Sequence, residues 1–130
     1  NASNYIGNLI NYLLSTFQAE INPIEIHVDV DKNIELLLEK IILIGLIINE
    51  GISNAFKYAF NGIENGEIFI QLKIHNGKYT LIIKDNGKGL EYSIQNEKSL
   101  GLKLISFIST QLNGTCELIN NHGVMHRIKF

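Results

Sequence analysis

Cysteine is almost absent from this chain of 130 residues, since Cys116 is the single one in the sequence. One thiol builds neither a disulfide framework nor a cysteine-ligated metal cluster, which agrees with a reducing cytoplasm. No apolar run reaches the roughly 18 residues that a membrane-spanning helix needs, and no signal-peptide pattern opens the chain. We therefore expect a cytoplasmic domain without membrane contact, in which Cys116 is a small buried apolar residue.

Neither sign of charge is in large excess, because 11 basic and 13 acidic residues leave a net charge of -2. This balance gives no electrostatic reason to expect nucleic acid as a partner, so any phosphate-binding site has to be local. The sequence does have 45% hydrophobic residues in a length typical of one domain. We expect a single domain over residues 1–130, and the first residue, Asn1, indicates a fragment of a longer protein.

The most informative stretch covers residues 41–60, which begins apolar and then becomes polar on one side. At about 100° per residue, Glu50, Asn54, Lys57 and Asn61 form one stripe of a helix. A solvent-facing stripe is usually filled by strong helix formers, and asparagine is not one of them. We interpret the stripe as functional, and the alternative is an ordinary amphipathic helix with a solvated face.

Hydrophobic periodicity predicts the remaining elements. Helices are expected over residues 3–17, with Ser3 as the N-cap, and over residues 99–112, with Asn113-Gly114 as the stop. The inner face of the second of these helices is predicted to contain Leu100, Leu104, Ile105, Ile108 and Leu112. Strands are expected over residues 24–30, 67–75, 78–85, 115–119 and 124–130, with a brief extended segment over residues 34–37.

Asn76-Gly77 is the preferred two-residue turn of a β-hairpin, and it fixes the register of the two strands that it joins. The predicted cross-strand pairs are Ile74 with Tyr79, Leu72 with Leu81, Ile70 with Ile83, and Ile68 with Asp85. Asp85 therefore lies on the core face, where a carboxylate needs a hydrogen-bond partner. That partner is either a protein amide or a donor group of a ligand.

Three features occur in a fixed order along the chain: Glu50 and Asn54 on a helix, DNGKGL at the end of a strand, and SLGLKLI opening a helix. This ordered set resembles the ATP-binding superfamily shared by histidine kinases, DNA gyrase, the MutL repair proteins and a heat-shock chaperone. IGLIINEGISNAFKYAF, followed by the other two segments, looks most like the catalytic, ATP-binding domain of sensor histidine kinases. The resemblance covers residues 5–130.

The resemblance implies an α/β fold, a two-layer sandwich with a mixed, mostly antiparallel sheet and three helices on one face. It implies ATP and Mg²⁺ as cofactors, with ATP between the helices and a lid. It also implies donation of the γ-phosphoryl group to a histidine on a separate helical dimerisation domain, and a response regulator downstream. We expect that domain to precede Asn1 and the full-length protein to be a homodimer.

The resemblance also implies roles for single residues. Glu50 matches a carboxylate that orients or deprotonates the attacking group, and Asn54 matches a Mg²⁺ ligand. Asp85 matches the acceptor of the adenine amine, and Gly87 lets backbone approach the base. The implied ATP-binding residues are Asn54, Lys57, Tyr58, Asp85, Gly87, Gly89, Leu90, Ser99, Leu100, Gly101 and Leu102.

The chain departs from the family pattern at three places. Gly101 is the one glycine left before the last helix, the loop over residues 91–98 has no phenylalanine, and Val124 stands where a threonine is common. Three alternatives stay open: a stand-alone serine kinase of the anti-sigma-factor type, a nucleotide-binding regulatory module without catalysis, and a gyrase-like ATPase. The histidines are expected outside the helices, so the phosphoacceptor is not expected in this chain; they are His27, His75, His122 and His126.

Overall fold

The structure, a computed structural model, describes residues 2–17, 24–56, 65–87, 100–120 and 122–130. Within these ranges the chain forms three α-helices and five β-strands. The helices are α1 (Ala2–Phe17), α2 (Leu38–Asn54) and α3 (Leu100–Gln111), and the strands are β1 (Ile24–Val30), β2 (Gly66–His75), β3 (Lys78–Asp85), β4 (Thr115–Asn120) and β5 (Val124–Lys129).

The five strands form one mixed sheet in the order β1-β2-β3-β5-β4. β1 pairs with β2 in parallel, and the other three neighbouring pairs are antiparallel. A parallel pair needs a crossover connection, and α2 lies within the connection from β1 to β2. The predicted α/β fold with a mixed, mostly antiparallel sheet is confirmed.

The hydrophobic core lies between the helices and one face of the sheet. The strands alternate, so their buried side chains point to this inner face, while the outer face carries mostly polar residues together with Phe69, Ile82 and Met125. The core residues of the sheet and of α2 are almost wholly buried: Ile68, Ile70, Leu72, Leu81, Ile83, Ile128, Ile44, Ile47, Ile48 and Ile52. Cys116 was predicted to be buried. It is half-buried and packs against this core.

The hairpin between β2 and β3 has the predicted register. Asn76 and Gly77 both have positive φ, 50° and 74°, as a type I′ turn requires. Its pairs include Ile74 with Tyr79 and Ile68 with Asp85. Asp85 therefore lies on the inner face at the last position of β3, and it is 6% exposed.

Gly51 brings α2 close to the sheet. A Cβ built on this glycine would lie 3.0 Å from both Cδ1 and Cγ2 of Ile83. Ile83 precedes Asp85 by two residues and shares its face of β3, so the middle of α2 packs directly over the strand that ends at Asp85. The polar residues that flank Gly51 on α2 thus lie close to the end of β3.

The C-terminus of α3 is capped as predicted by Asn113-Gly114. Asn113 has φ 58°, the left-handed conformation in which many helices end. Its N–H donates to the carbonyl of Thr110 at 2.9 Å, and the N–H of Gly114 donates to the carbonyl of Ser109 at 3.0 Å. These two bonds are those of a Schellman motif.

Leu104 was wrongly predicted to lie on the inner face of α3, since it is 36% exposed. The buried stripe runs through Ile105, Ile108 and Leu112, which are 1%, 4% and 2% exposed. Gly101 lies four residues before Ile105 and continues this stripe. Because the stripe is centred on these four positions, Leu104 falls on its border. Of the side chain of Leu100 the structure describes nothing.

The predicted starts of two helices were also wrong. α2 begins at Leu38 instead of residue 41, because Leu38-Glu39-Lys40 are good helix formers and the N–H groups of Lys40 and Ile41 reach the carbonyl of Leu37. α1 already includes Ala2, so Ser3 lies inside the helix and is not its N-cap. The brief extended segment predicted over residues 34–37 is not part of the sheet; Leu37 is extended, with φ -59° and ψ 146°, and Ile34 is buried at 2% exposure.

Candidate functional site

Asp85 is a buried carboxylate held by backbone amides. Its Oδ1 accepts hydrogen bonds from the N–H of Gly87 at 2.9 Å and from the N–H of Val124 at 3.2 Å. Burial raises the pKa of the Asp85 carboxyl, and these two hydrogen bonds act in the opposite direction. Both bonds end on Oδ1, and no donor from the described residues reaches Oδ2, so within that part of the chain the carboxylate is oriented with one oxygen available to another donor.

Gly123 and Val124 bring β5 to this carboxylate. Gly123 has φ 123°, a conformation that other residues rarely adopt, and its α-carbon lies against the backbone of Asp85. This close approach places the N–H of Val124 where it reaches Oδ1. Val124 stood out in the sequence for its missing hydroxyl, and its backbone bond to Asp85 was not foreseen.

The polar stripe of α2 faces the first turn of α3. Glu50 and Asn54 are half-buried. A Cβ built on Gly101 would lie 3.0 Å from Oε2 of Glu50 and 3.0 Å from both Oδ1 and Nδ2 of Asn54. The described part of the stripe, Glu50 and Asn54, is therefore not a solvated face: its carboxylate and its amide converge on a helix N-terminus, and the absence of a side chain at residue 101 leaves room for them.

Asn54 has a buried amide nitrogen, Nδ2, that has no hydrogen-bond partner in the described part of the chain. Such an orphaned group is costly, and a polar ligand that accepts its hydrogen bond would remove the cost. The side-chain carbonyl oxygen of Asn54 and the carboxylate of Glu50 are hard oxygen donors, the kind that Mg²⁺ prefers. The free amide, the two oxygens and the space beside Gly101 thus fit a hydrated Mg²⁺ with phosphate oxygens.

The structure describes some of the other predicted site residues and not others. Gly87 is buried beside Asp85, α3 begins at Leu100, and Leu102 is half-buried in its first turn. Five predicted binding residues and one further stripe residue lie outside the described residues: Lys57, Tyr58, Gly89, Leu90, Ser99 and Asn61. The loop over residues 91–98 lies outside them as well.

His126 was not foreseen as part of this region. It lies on the inner face of β5, opposite Ile83, and is 5% exposed. Burial lowers its pKa from the ordinary 6.5 to about 4, so the imidazole is neutral near pH 7. Its position between Val124 and Ile128 in an alternating strand was the signal that could have found it.

The two polar groups are linked through one packing contact, that of Gly51 on α2 with Ile83 on β3. Asp85 is the last residue of β3 at one end of this arrangement, and Glu50, Asn54 and Gly101 lie together at the other. The first end offers an oriented hydrogen-bond acceptor. The second offers oxygen ligands beside the N-terminus of α3, where backbone N–H groups and the helix dipole favour anions. An elongated ligand with a hydrogen-bond donor at one end and a negative charge at the other would suit this arrangement.

Comparison with solved structures shows which proteins share the fold. The histidine kinase domain of a blue-light activated histidine kinase from Erythrobacter litoralis has a TM-score of 0.86 at 20% identity, over 99% of this chain and 60% of that chain. The catalytic domain of histidine kinase ThkA has a TM-score of 0.76 at 16% identity, over 100% of this chain and 91% of that chain. Full-length ShkA in complex with AMPPNP has a TM-score of 0.76 at 18% identity, over 99% of this chain and 29% of that chain.

Comparison by sequence finds no match, either to a protein-family model or to a curated protein. The chain spans 60% of the length of the Erythrobacter litoralis domain that it resembles. Among the described residues, no helix is both long and apolar enough to cross a membrane. The chain thus has the fold of histidine kinase catalytic domains.

Proposed function

We propose that this chain, with the fold of a histidine kinase catalytic domain, binds Mg-ATP and donates the γ-phosphoryl group to a histidine on a separate helical domain. The reaction would serve two-component signal transduction, with a response regulator as the next acceptor. The observation that carries the proposal is the convergence of Glu50 and Asn54 on Gly101, on a helix that packs against the strand ending at the buried Asp85.

Adenine recognition is proposed for the Asp85 end. The exocyclic amine of adenine is a donor, and Asp85 presents a carboxylate oxygen that neither backbone amide uses. Gly87 and Gly123 have no side chain to obstruct a flat base beside it. The carboxylate is fixed before the base arrives, so little ordering entropy is lost on binding.

Phosphate and Mg²⁺ binding is proposed for the Asn54 end. Asn54 would hold the ion through its carbonyl oxygen, and its unpartnered Nδ2 would donate to a phosphate oxygen. The N-terminus of α3 supports the same negative charge. When bound, Mg²⁺ neutralises charge on the phosphates. Glu50, one turn before Asn54, would orient the attacking imidazole or accept its proton.

The acceptor is proposed to lie outside this chain. His27, His75 and His126 are on strands, and His122 is in the turn before β5. Phosphoryl transfer requires an acceptor held in line with the γ-phosphate, and the inward imidazole of His126 is 5% exposed. A histidine on an exposed helix of another domain meets that requirement.

Two measurements test the proposal. Calorimetry is expected to show that ADP and ATP bind to the chain at one site and that Mg²⁺ strengthens binding. With γ-labelled ATP, the chain alone is expected to stay unlabelled, whereas addition of the proposed histidine-bearing helical domain yields an acid-labile, base-stable label. Glu50→Gln is expected to slow labelling more than it weakens binding, while Glu39→Gln, an exposed carboxylate on the same helix, changes neither.

The outcomes separate the alternatives. Acid-stable label on a serine of a partner would favour a serine kinase of the anti-sigma-factor type. Nucleotide binding without any transfer would favour a regulatory module, to which Val124, with no hydroxyl, is suited. If no nucleotide binds, the proposal as a whole is wrong.

A further inference from the structure

A cluster of two carboxylates and an imidazole lies on the outer face of the sheet, on the side away from the helices. Nε2 of His27 lies 3.6 Å from Oε2 of Glu25 and 3.7 Å from Oε1 of Glu67. The three possible ligand atoms all lie within 4.8 Å of one another. Glu25 and His27 are two residues apart on β1 and therefore share its outer face. Glu67 is on β2, so the parallel pairing of the two strands creates the cluster.

The strands hold the backbone of these residues in a fixed arrangement, and one of the three side chains is also packed. Glu25 and Glu67 are direct partners in the register of β1 and β2. The ring of His27 stacks on Phe69, with centroids 4.8 Å apart and planes inclined by 15°. The side-chain oxygen of Asn86 accepts from the N–H of Glu67 at 2.7 Å, and the N–H of Asn86 donates to the carbonyl of Glu67 at 3.1 Å. Sites built on strands with oriented ligands bind metals with little reorganisation.

The charges of this cluster are unbalanced. Carboxylates directly opposite each other on neighbouring strands repel. Other acidic residues of the outer face have a cation, because Lys73 pairs with Asp29 at 2.7 Å and Arg127 with Glu117 at 3.0 Å. Within the described part of the chain, no lysine or arginine pairs with Glu25 or Glu67. Among the described residues, His27 is the one side chain that pairs with them, so the two negative charges can accept an added cation.

We propose that Glu25, His27 and Glu67 form a binding site for a first-row divalent transition-metal ion, represented by Zn²⁺. Imidazole nitrogen together with carboxylate oxygen suits Zn²⁺ better than Mg²⁺ or Ca²⁺, which prefer oxygen ligands. Ligand bonds of about 2.0 to 2.2 Å in a tetrahedral site place ligand atoms roughly 3.4 Å apart. The observed separations of 3.6 and 3.7 Å between the imidazole and each carboxylate need a shift of a few tenths of an ångström. The two carboxylate oxygens lie within 4.8 Å of each other, and a rotation of the exposed glutamate side chains can bring them to the same spacing. The exposed side chains leave the fourth position to water or to a ligand from a partner.

This site is independent of the proposed nucleotide site, because it lies on the opposite face of the sheet. Its proposed ligands are residues 25, 27 and 67. Residues 25 and 27 share one face of β1, and the β1–β2 register places residue 67 beside residue 25. The residues are exposed or half-exposed, so their substitution leaves the core intact.

Calorimetric titration of the whole chain with ZnCl₂, at pH 7.5 in a buffer that does not chelate zinc, tests the proposal. We expect saturable binding with micromolar affinity. His27→Ala is expected to weaken it at least about tenfold, and Glu67→Gln by a smaller factor, in the range in which loss of a ligand or its support usually acts. His75→Ala is the matched control, since His75 is an exposed histidine at the end of β2 that hydrogen-bonds to the Asn76 side chain.

A second measurement locates the ion. Zinc is expected to shift the NMR signals of the His27 ring and of the Glu25 and Glu67 amides, and to leave those of His75 in place. No saturable zinc binding up to millimolar concentration would overturn the proposal. So would a loss of affinity in His75→Ala as large as that in His27→Ala.

Discussion

The α-carbon of Gly123 lies against the backbone carbonyl of Asp85. A Cβ on Gly123 would collide with that carbonyl oxygen and lie 3.0 Å from the carbonyl carbon and 3.2 Å from Oδ1 of the side chain. The contact joins the turn before β5 to the end of β3, and it holds the carboxylate in the place where Val124 reaches it. The position of Asp85 therefore depends on a residue that has no side chain.

Gly123→Ala is expected to destabilise the protein by more than the roughly 1 to 2 kcal/mol that a left-handed backbone costs, because the new Cβ also clashes with Asp85. Gly77→Ala is the matched control, since Gly77 has φ 74° but open space around its Cβ position. It is expected to lose only the conformational part. Urea denaturation of both variants measures the difference, and equal losses would show that the contact with Asp85 carries no energy.

Asp85→Asn is expected to weaken ADP binding by about 1 to 3 kcal/mol, because the amide can present a donor where the adenine amine needs an acceptor. Titration calorimetry measures the affinity. Asp29→Asn, on the outer face of β1, is the control and is expected to bind ADP normally. A folded Asp85→Asn protein with unchanged affinity would contradict adenine recognition by this residue.

Gly101→Ala is expected to weaken Mg-ADP binding by about 1 to 2 kcal/mol, since the new methyl group would lie 3.0 Å from the side-chain ends of Glu50 and Asn54 and displace them. The free energy of unfolding is expected to change little, because alanine is the better helix former. Gly7→Ala, at a helical glycine with open space, is the control: it is expected to stabilise the fold by about 0.5 to 1 kcal/mol and to leave binding unchanged. Equal affinities in both variants would show that the contact is irrelevant to the ligand.

His126 is expected to make stability fall as the pH is lowered. Between its ordinary pKa of 6.5 and the lowered value of about 4, the unfolded chain takes up a proton at this residue and the folded chain does not. The neutral, buried imidazole therefore contributes roughly 3 kcal/mol at pH 7 that is lost progressively towards pH 4. Asp85, with a raised pKa on the neighbouring strand, acts in the opposite direction at low pH.

His126→Leu isolates this contribution. The difference in unfolding free energy between the wild type and this variant is expected to move in favour of the variant as the pH falls from 7 to 5. His75→Leu, which removes an exposed imidazole, is expected to show no such trend. Parallel pH profiles for wild type and His126→Leu would mean that residue 126 is already accessible to protons in the fold.

The local features of the fold were predictable from the sequence. Asn76-Gly77 determines both the turn and the register, so the inward position of Asp85 followed from counting along two strands. The stop of α3 at Asn113-Gly114 followed from the conformations that these residues adopt easily. In both places the interactions span a few residues, and the sequence contains all of them.

The partners of the polar residues were not predictable. Val124, which donates to Asp85, is 39 residues away, and its strand had no sequence signal for pairing with β3. The contact of Gly101 with Glu50 and Asn54 likewise depends on how two helices cross. The exposure of Leu104 depends on the same crossing. The roles of Glu50, Asn54 and Asp85 towards a nucleotide stay predictions.

The parallel pairing of β1 with β2 has a consequence for how the chain folds. Because α2 lies in the crossover between these strands, the helix that carries Glu50 and Asn54 is enclosed in a loop that closes when residue 24 meets residue 66. Closure of such a loop costs chain entropy before its contacts repay it, and non-local strand pairing is slow compared with hairpin formation. The β2–β3 hairpin can form early and present Asp85, whereas the carboxylate and amide of α2 are held in place only once the edge of the sheet has been completed. Assembly of the candidate site is therefore coupled to the least local step in the folding of the sheet.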